Sequence, residues 1–366
     1  MVIKSLLILM TGFVLFVSCA EDGDKKGTAC TSLDCKTKKY SLLMANLDGS
    51  NIEVIKTSSY QDMTHPRVSA DKKWLGFTTY NKINSSGCAT VDQDYVDTEI
   101  RAVKMDGSSE VQLIAPASGE LNSNIYWVGE TNEFTFLSGL PSAGTKIYKA
   151  TVDSNMNLIS GPTEVSVPGT ILPLDPAAHK TTDKIVYPGI YNSGGEVKSI
   201  FIMNFSDSSS VVGLTLGRDS AGTTLYGTDV LENDPKLSPN GDKVAFMRLA
   251  NKSGATGFGW HIFVVPVASP LAEVDISMSA LGSSILNNDT LPEWLDNDTL
   301  IFSKITVSAD GSFVRTLHTM KDDGSQRSDI NLPAGYHYAG VYPFTNSSGQ
   351  DKMILSVEKI SATCSQ

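Results

Sequence analysis

The sequence predicts an all-β fold, a six-bladed β-propeller whose last blade is a composite closed by N-terminal strands. Two recurring signals and one absence predict it. A polar turn leading into a short apolar strand that ends in an aromatic recurs along the chain, and a strand of alternating apolar residues running into a second turn recurs between the copies. No segment sustains the 3.6-residue period of an amphipathic helix.

The first signal appears as Ala70-Asp71-Lys72-Lys73-Trp74-Leu75-Gly76-Phe77, Thr131 to Phe136, Asp183 to Tyr187, Asn240 to Phe246 and Asn297 to Phe302, with a weaker copy from Gly349 to Leu355. The second runs through Ile100 to Gly107, with partners at Tyr40 to Gly49, Ile147 to Asp153, Ile200 to Asp207, Ile262 to Val267 and Arg315 to Gly324. Asp-Gly between such runs is a strong hairpin signal, read here as a turn with positive φ at both positions. A short strand such as Val111 to Ile114 or Val211 to Leu214 follows each turn. From Asp48 to Asp323 the second signal takes five steps. At about 55 residues each, a step matches one four-stranded blade with generous loops.

The phase of the termini predicts how the ring closes. The chain enters its repeats on an outer pair, Tyr40 to Ile55, and leaves on an inner pair, Ala339 to Lys359. The last blade is therefore expected to take two strands from each end, leaving no open sheet edge.

Two segments now carry a family resemblance. Pro235-Lys236-Leu237-Ser238-Pro239-Asn240-Gly241-Asp242-Lys243-Val244-Ala245-Phe246 and Pro66-Arg67-Val68-Ser69-Ala70-Asp71-Lys72 resemble the P-x-x-S-P-D-G-x-x-x-A-F repeat of TolB-type, WD40-like propellers. TolB proteins carry an α/β domain ahead of the propeller, and only a short tether precedes this one, so a place in the Tol-Pal system is not expected.

The N-terminus predicts export. Lys4, an apolar run from Leu6 to Val17 and the small Ser18 form a cleavable signal too short to remain as a membrane span. Phe16-Val17-Ser18-Cys19 resembles the lipobox of bacterial lipoproteins, with Phe16 in place of the usual leucine, which implies lipidation at Cys19. The expected organisation is a signal peptide over 1–18, lipidated cysteine and tether over 19–38, and the propeller over 39–366. A lipid-anchored place in the cell envelope, at the outer membrane or facing the periplasm, follows from it.

In an oxidising compartment the remaining cysteines are disulfide candidates. Cys30, Cys35, Cys88 and Cys364 are expected on one face across two adjacent blades. Bridges from Cys364 and Cys88 to the Cys30 and Cys35 segment would staple the composite blade, and a local Cys30-Cys35 bridge is the rival. The cysteines lack paired C-x-x-C spacing, so no metal site is expected from them.

Candidate chemistry is sparse. A formal net charge of -11 argues against a nucleic-acid partner. No G-x-S-x-G elbow or glycine-rich nucleotide loop occurs, and no cofactor is expected. His65 and His337 are placed just before inner strands of neighbouring blades and Asp234 at the matching position across the ring, a possible binding set at the channel mouth. His261 and His318 read as core or sheet-face residues. The acidic run Asp92, Asp94, Asp97 and Glu99 lacks EF-hand spacing and reads as a solvated loop. Tyr126, Trp127, Trp260, Trp294 and Tyr342 offer aromatic surface, with Trp127 and Trp294 assigned to the core.

The long loops between second and third strands are expected on the working face. The leading functional reading is a monomeric, non-enzymatic propeller that binds a protein or peptide in the envelope. Its alternative is a carbohydrate lyase or hydrolase with His65, His337 and Asp234 at the channel mouth.

Overall fold

The computed structural model describes residues 39–58, 61–81, 98–115, 119–140, 144–165, 167, 175–179, 182–190, 198–215, 232–251, 258–277, 287–307, 313–333 and 336–359. All five cysteines and residues 82–97 with Asp92, Asp94 and Asp97 lie outside them.

The chain enters with β1 (Lys39–Asn46) and β2 (Glu53–Ser58), then builds five blades in sequence order. Blade 1 is β3 (Gln61–Val68), β4 (Trp74–Asn81), β5 (Glu99–Lys104) and β6 (Glu110–Ile114). Blade 2 is β7 (Leu121–Trp127), β8 (Glu133–Leu140), β9 (Gly144–Val152) and β10 (Leu158–Val165). Blade 3 is β11 (Ala177–Ala178), β12 (Lys184–Ile190), β13 (Lys198–Asn204) and β14 (Asp207–Gly213). Blade 4 is β15 (Glu232–Leu237), β16 (Lys243–Asn251), β17 (Phe258–Pro266) and β18 (Val274–Asp275). Blade 5 is β19 (Asn287–Trp294), β20 (Thr299–Val307), β21 (Phe313–Lys321) and β22 (Ser328–Ile330). The chain ends with β23 (Tyr336–Thr345) and β24 (Asp351–Lys359), and β1 pairs antiparallel with β24 from Lys39↔Lys359 to Asn46↔Lys352. The sixth sheet, ordered β2-β1-β24-β23, is thus the composite blade, and the fold is an all-β six-bladed propeller.

Each blade is antiparallel, so its first-to-second and third-to-fourth turns share one face. The serine and acidic positions of the repeat lock the first of these. Ser69 Oγ accepts from the Trp74 amide and donates to Asp71 Oδ1, while Asp71 accepts from the Lys73 amide. Ser238 Oγ does the same with the Lys243 amide and Asn240 Oδ1. The Asp-Gly turns are a longer type than the sequence suggests. Only the glycine takes positive φ, 85° at Gly49, 74° at Gly107 and 81° at Gly324, while each aspartate side chain accepts from the amide two residues on. A glycine in the left-handed region after a type I turn gives a hairpin that keeps the strand twist.

The aromatic closing the repeat is the innermost part of the core. Phe77, Phe136, Tyr187, Phe246 and Phe302 are each at most 1% exposed, and Leu355 takes the place in the composite blade. Because each blade presents both faces to neighbours, the apolar clusters lie between blades. Trp74 and Ile100 meet Trp127 and Phe134, and Val186 and Ile202 meet Val244 and Phe246. Phe246 and Phe263 are register partners stacked at 5.7 Å, as are Tyr187 and Phe201. Full burial of one such ring contributes about 1.5–3 kcal/mol.

Candidate functional site

The inner strands share a kink. His65, Asn124, Asp175, Asp234 and Leu291 take φ of 51°, 57°, 36°, 49° and 54°. In β3, β7, β15 and β19 the register shifts at this point. Four of the five are followed by proline, Pro66, Pro176, Pro235 and Pro292, which supplies no amide to the ladder. In β23 the irregularity falls between Tyr338 and Gly340.

The second residue after the kink lines the ring's centre. Arg67, Tyr126, Ala177, Lys236 and Glu293, one from each of blades 1 to 5, line a single cavity of about 160 Å³, and Tyr342 of β23 joins them from the composite blade. Ala70, Lys72, Gly129, Glu130 and Pro239 bring the wall up among the first-to-second turns. This cavity therefore reaches the short-turn face, whereas the long-loop face was the expected working face. Arg67, Lys236 and Glu293, each just after a motif proline, carry the charges on the inner strands, and Lys72 and Glu130 add those of the turns.

The floor of the cavity is an ion network. Arg67 is 4% exposed, and its Nη2 donates to Glu293 Oε1 at 2.7 Å and to the Tyr126 hydroxyl, while Nη1 donates to the Pro66 carbonyl at 2.8 Å. Its guanidinium lies 4.1 Å from the centroid of Tyr126 and 4.8 Å from that of Tyr342. Lys236 is 7% exposed, with its ammonium 3.8 Å from Asp234 Oδ1 and 4.0 Å from Glu293 Oε1. Burial disfavours both charged forms, yet nearby Glu293 and Tyr126 hold both above their ordinary values.

His65 and Asp234 sit inside β3 and β15, at matching kinks, rather than before those strands. Burial pushes the His65 imidazole down to about 3, helped by the positive charges of Arg67 and Lys236, so it is neutral at pH 7. Its Nδ1 is 3.0 Å from Thr64 Oγ1. His337 lies within β23, opposite Glu358, also inside its strand rather than ahead of it. Among the described residues no group of three or more His, Cys, Asp or Glu is placed to hold a metal.

The other histidines hold the sheets together. His261 Nδ1 pairs with Asp275 Oδ2 at 2.7 Å, and His318 pairs with Asp329 and stacks on Phe302. His179, passed over in the sequence, lines the cavity and reaches the carbonyls of Ser238 and Pro239 from the neighbouring blade. Trp127 and Trp294 both line the cavity and belong to the core, each indole bonded to the backbone carbonyl of Arg67 or Lys236 on the preceding blade. Trp260 is buried beside Met247 and does not line the cavity.

No protein-family model and no curated protein matches the chain. Among solved structures, TolB from Acinetobacter baumannii matches with a TM-score of 0.51 at 12% identity, over 88% of this chain and 64% of that one. The fold is a TolB-like propeller. This chain spans under two thirds of that TolB chain's length. Oligogalacturonate lyase from Vibrio parahaemolyticus matches at 0.48 and 8% identity, over 88% of this chain and 84% of the lyase. The propeller domain of the trilobed protease from Pyrococcus furiosus matches at 0.45 and 12% identity, over 89% and 91%. At such identities the TolB likeness is one of fold, and the site must be argued from its own residues. Among the described residues of this TolB-like ring, no helix is long and apolar enough to cross a membrane.

Proposed function

We propose that this chain is an extracytoplasmic binding module of the bacterial envelope, lipid-anchored through Cys19, which presents a rigid propeller to a protein or peptide partner. The observation that supports it is the cavity built by one residue from every blade, polar at its floor and aromatic in its walls. A preformed site on a closed ring spends little conformational entropy on binding. The export signal and lipobox resemblance support the anchor, with 19–38 as tether and 39–366 as propeller. The four remaining cysteines, Cys30, Cys35, Cys88 and Cys364, are proposed to bridge in that oxidising space, and the monomer to act alone.

The test is site-specific photo-crosslinking in cells. A crosslinking residue replacing Lys72 or Glu130 at the cavity mouth is expected to capture a single envelope protein, and one replacing Val54 or Val274 on the outer rim is not. A Cys19→Ser variant is expected to leave the membrane fraction. Capture equal from mouth and rim, or a Cys19→Ser protein that stays membrane-bound, defeats the respective half of the reading.

A further inference from the structure

We infer that the channel mouth is a carboxylate site that takes the C-terminal residue of a peptide, with Lys236 and Arg67 as its cations and Trp127 and Trp294 in its walls. This rests on the binding reading above and names what the cavity recognises.

Three observations carry it. The first is a surplus of donors. A guanidinium has five N–H groups and an ammonium three, with no acceptor on either. Arg67 spends donors on Pro66, Tyr126 and Glu293, and its Nε has no partner. Lys236 hydrogen-bonds the Tyr126 hydroxyl, but its nearest carboxylate oxygens, at 3.8 and 4.0 Å, lie beyond hydrogen-bond reach. A buried ammonium with protons unspent calls for an oxygen acceptor from outside.

The second observation is where the charges stand. Arg67, Lys72 and Lys236 line the cavity against Glu130 and Glu293, so its lining carries one more cation than anion in a protein whose formal charge is -11. That lining favours an anionic group over a cationic one.

The third is size and lining. Pockets that enclose a whole small ligand run to about 300–1,000 Å³, and this one is about 160 Å³. It has room for an end group only. Val68, Ala177 and Leu237 join the two tryptophans in lining it. A C-terminal residue brings a carboxylate and an apolar side chain together, matching floor and walls at once. An aspartate side chain brings the carboxylate alone.

Calorimetric titration of the purified full chain tests this with two hexapeptide pools of equal composition, one ending in a free carboxylate and one in a carboxamide, both with Leu last. Galacturonic acid and an amidated peptide with an internal Asp complete the set. The acid pool is expected to bind about tenfold or more tighter than the amide pool, since a hydrogen-bonded charge is at stake. In a folded Lys236→Met variant that preference is expected to vanish, and the wild-type comparison stands by itself if the variant does not fold. Equal binding of the acid and amide pools, or of the internal-Asp peptide, overturns the C-terminal site while leaving peptide binding intact. Binding of galacturonic acid with none of the peptides overturns both this inference and the binding reading.

Discussion

Arg67 and Glu293 stand on blades 1 and 5, with the composite blade between them, and meet across the channel at 2.7 Å. The pair exists only when the ring is closed, because 226 residues separate the partners. Lys236 approaches the same carboxylate from blade 4. One half-buried anion therefore serves two cations from opposite sides of the channel.

Removing the shared anion should cost more than removing one cation. Glu293→Gln leaves Arg67 and Lys236 facing each other with only Asp234 beside Lys236. Arg67→Met leaves Glu293 with Lys236 still 4.0 Å away. Breaking a buried pair costs about 3–5 kcal/mol. Urea denaturation is expected to place Glu293→Gln in that range and Arg67→Met below it. The reverse order would mean that Lys236 does not share the carboxylate.

His65 makes stability depend on pH. Its folded value, about 3, lies below the 6.5 of the ordinary imidazole, chiefly through burial and then through Arg67 and Lys236. Between these values the unfolded chain binds a proton that the folded chain does not, so this contribution falls as pH drops from 6.5 toward 3. The loss is on the order of a few kcal/mol over the window. Carboxylates titrate there too, so the readout is the difference between wild type and His65→Gln. The variant's stability is expected to fall less between pH 7 and pH 4.5, and parallel curves would show that His65 is not held neutral.

The ring was legible in the sequence because the residues that repeat are those that pack. Phe77 and Phe246 close the same motif and fill the same place between blades, so one physical demand writes one pattern. Closure was legible from the phase of Tyr40 and Lys359, which end up near each other in β1 and β24. The site was less so. Arg67, Lys236 and Glu293 occupy one repeat position but differ in charge, because each is chosen against a partner across the channel rather than for its own strand. The kink residue itself varies, with His, Asn, Asp and Leu all adopting it, and the proline that follows four of the five is its mark in the sequence. The sequence did bring His65 and Asp234 to matching kinks of β3 and β15, while the cavity is lined by their neighbours Arg67 and Lys236, readable only as the residues one past the motif proline.

The motif serine can be tested in the turns that form the cavity's rim, where Val68 and Ala70 flank Ser69 and Leu237 and Pro239 flank Ser238. Ser69→Ala and Ser238→Ala each remove an acceptor for one amide and a donor to one acidic or amide side chain, in turns on opposite sides of the ring. Each loss is expected to cost about 1–3 kcal/mol, the penalty of an unsatisfied buried group. Standing on blades 1 and 4 with no hydrogen-bond partner in common, the two should add within about 0.5 kcal/mol in the double variant. Strong non-additivity in thermal or urea unfolding would show that the turns communicate through the blades.

The composite blade joins the two ends of the chain, with β1 paired along its length to β24. Leu43 of β1 is 1% exposed and belongs to the cluster between blades 5 and 6, with Leu355 of β24 opposite it. Leu43→Ala is expected to cost about 2–5 kcal/mol, the range for emptying a packed leucine site. None of the four tryptophans lies in β1, β2, β23 or β24. Trp74, Trp127 and Trp260 stand on blades 1, 2 and 4, outside the cluster that holds Leu43, so their fluorescence reports on blades that the substitution does not touch. If the N-terminal strands hold the ring shut, fluorescence and far-ultraviolet circular dichroism should shift to a lower urea midpoint together in Leu43→Ala. If those strands peel away alone, the fluorescence midpoint stays at its wild-type value while dichroism shows an earlier, partial loss.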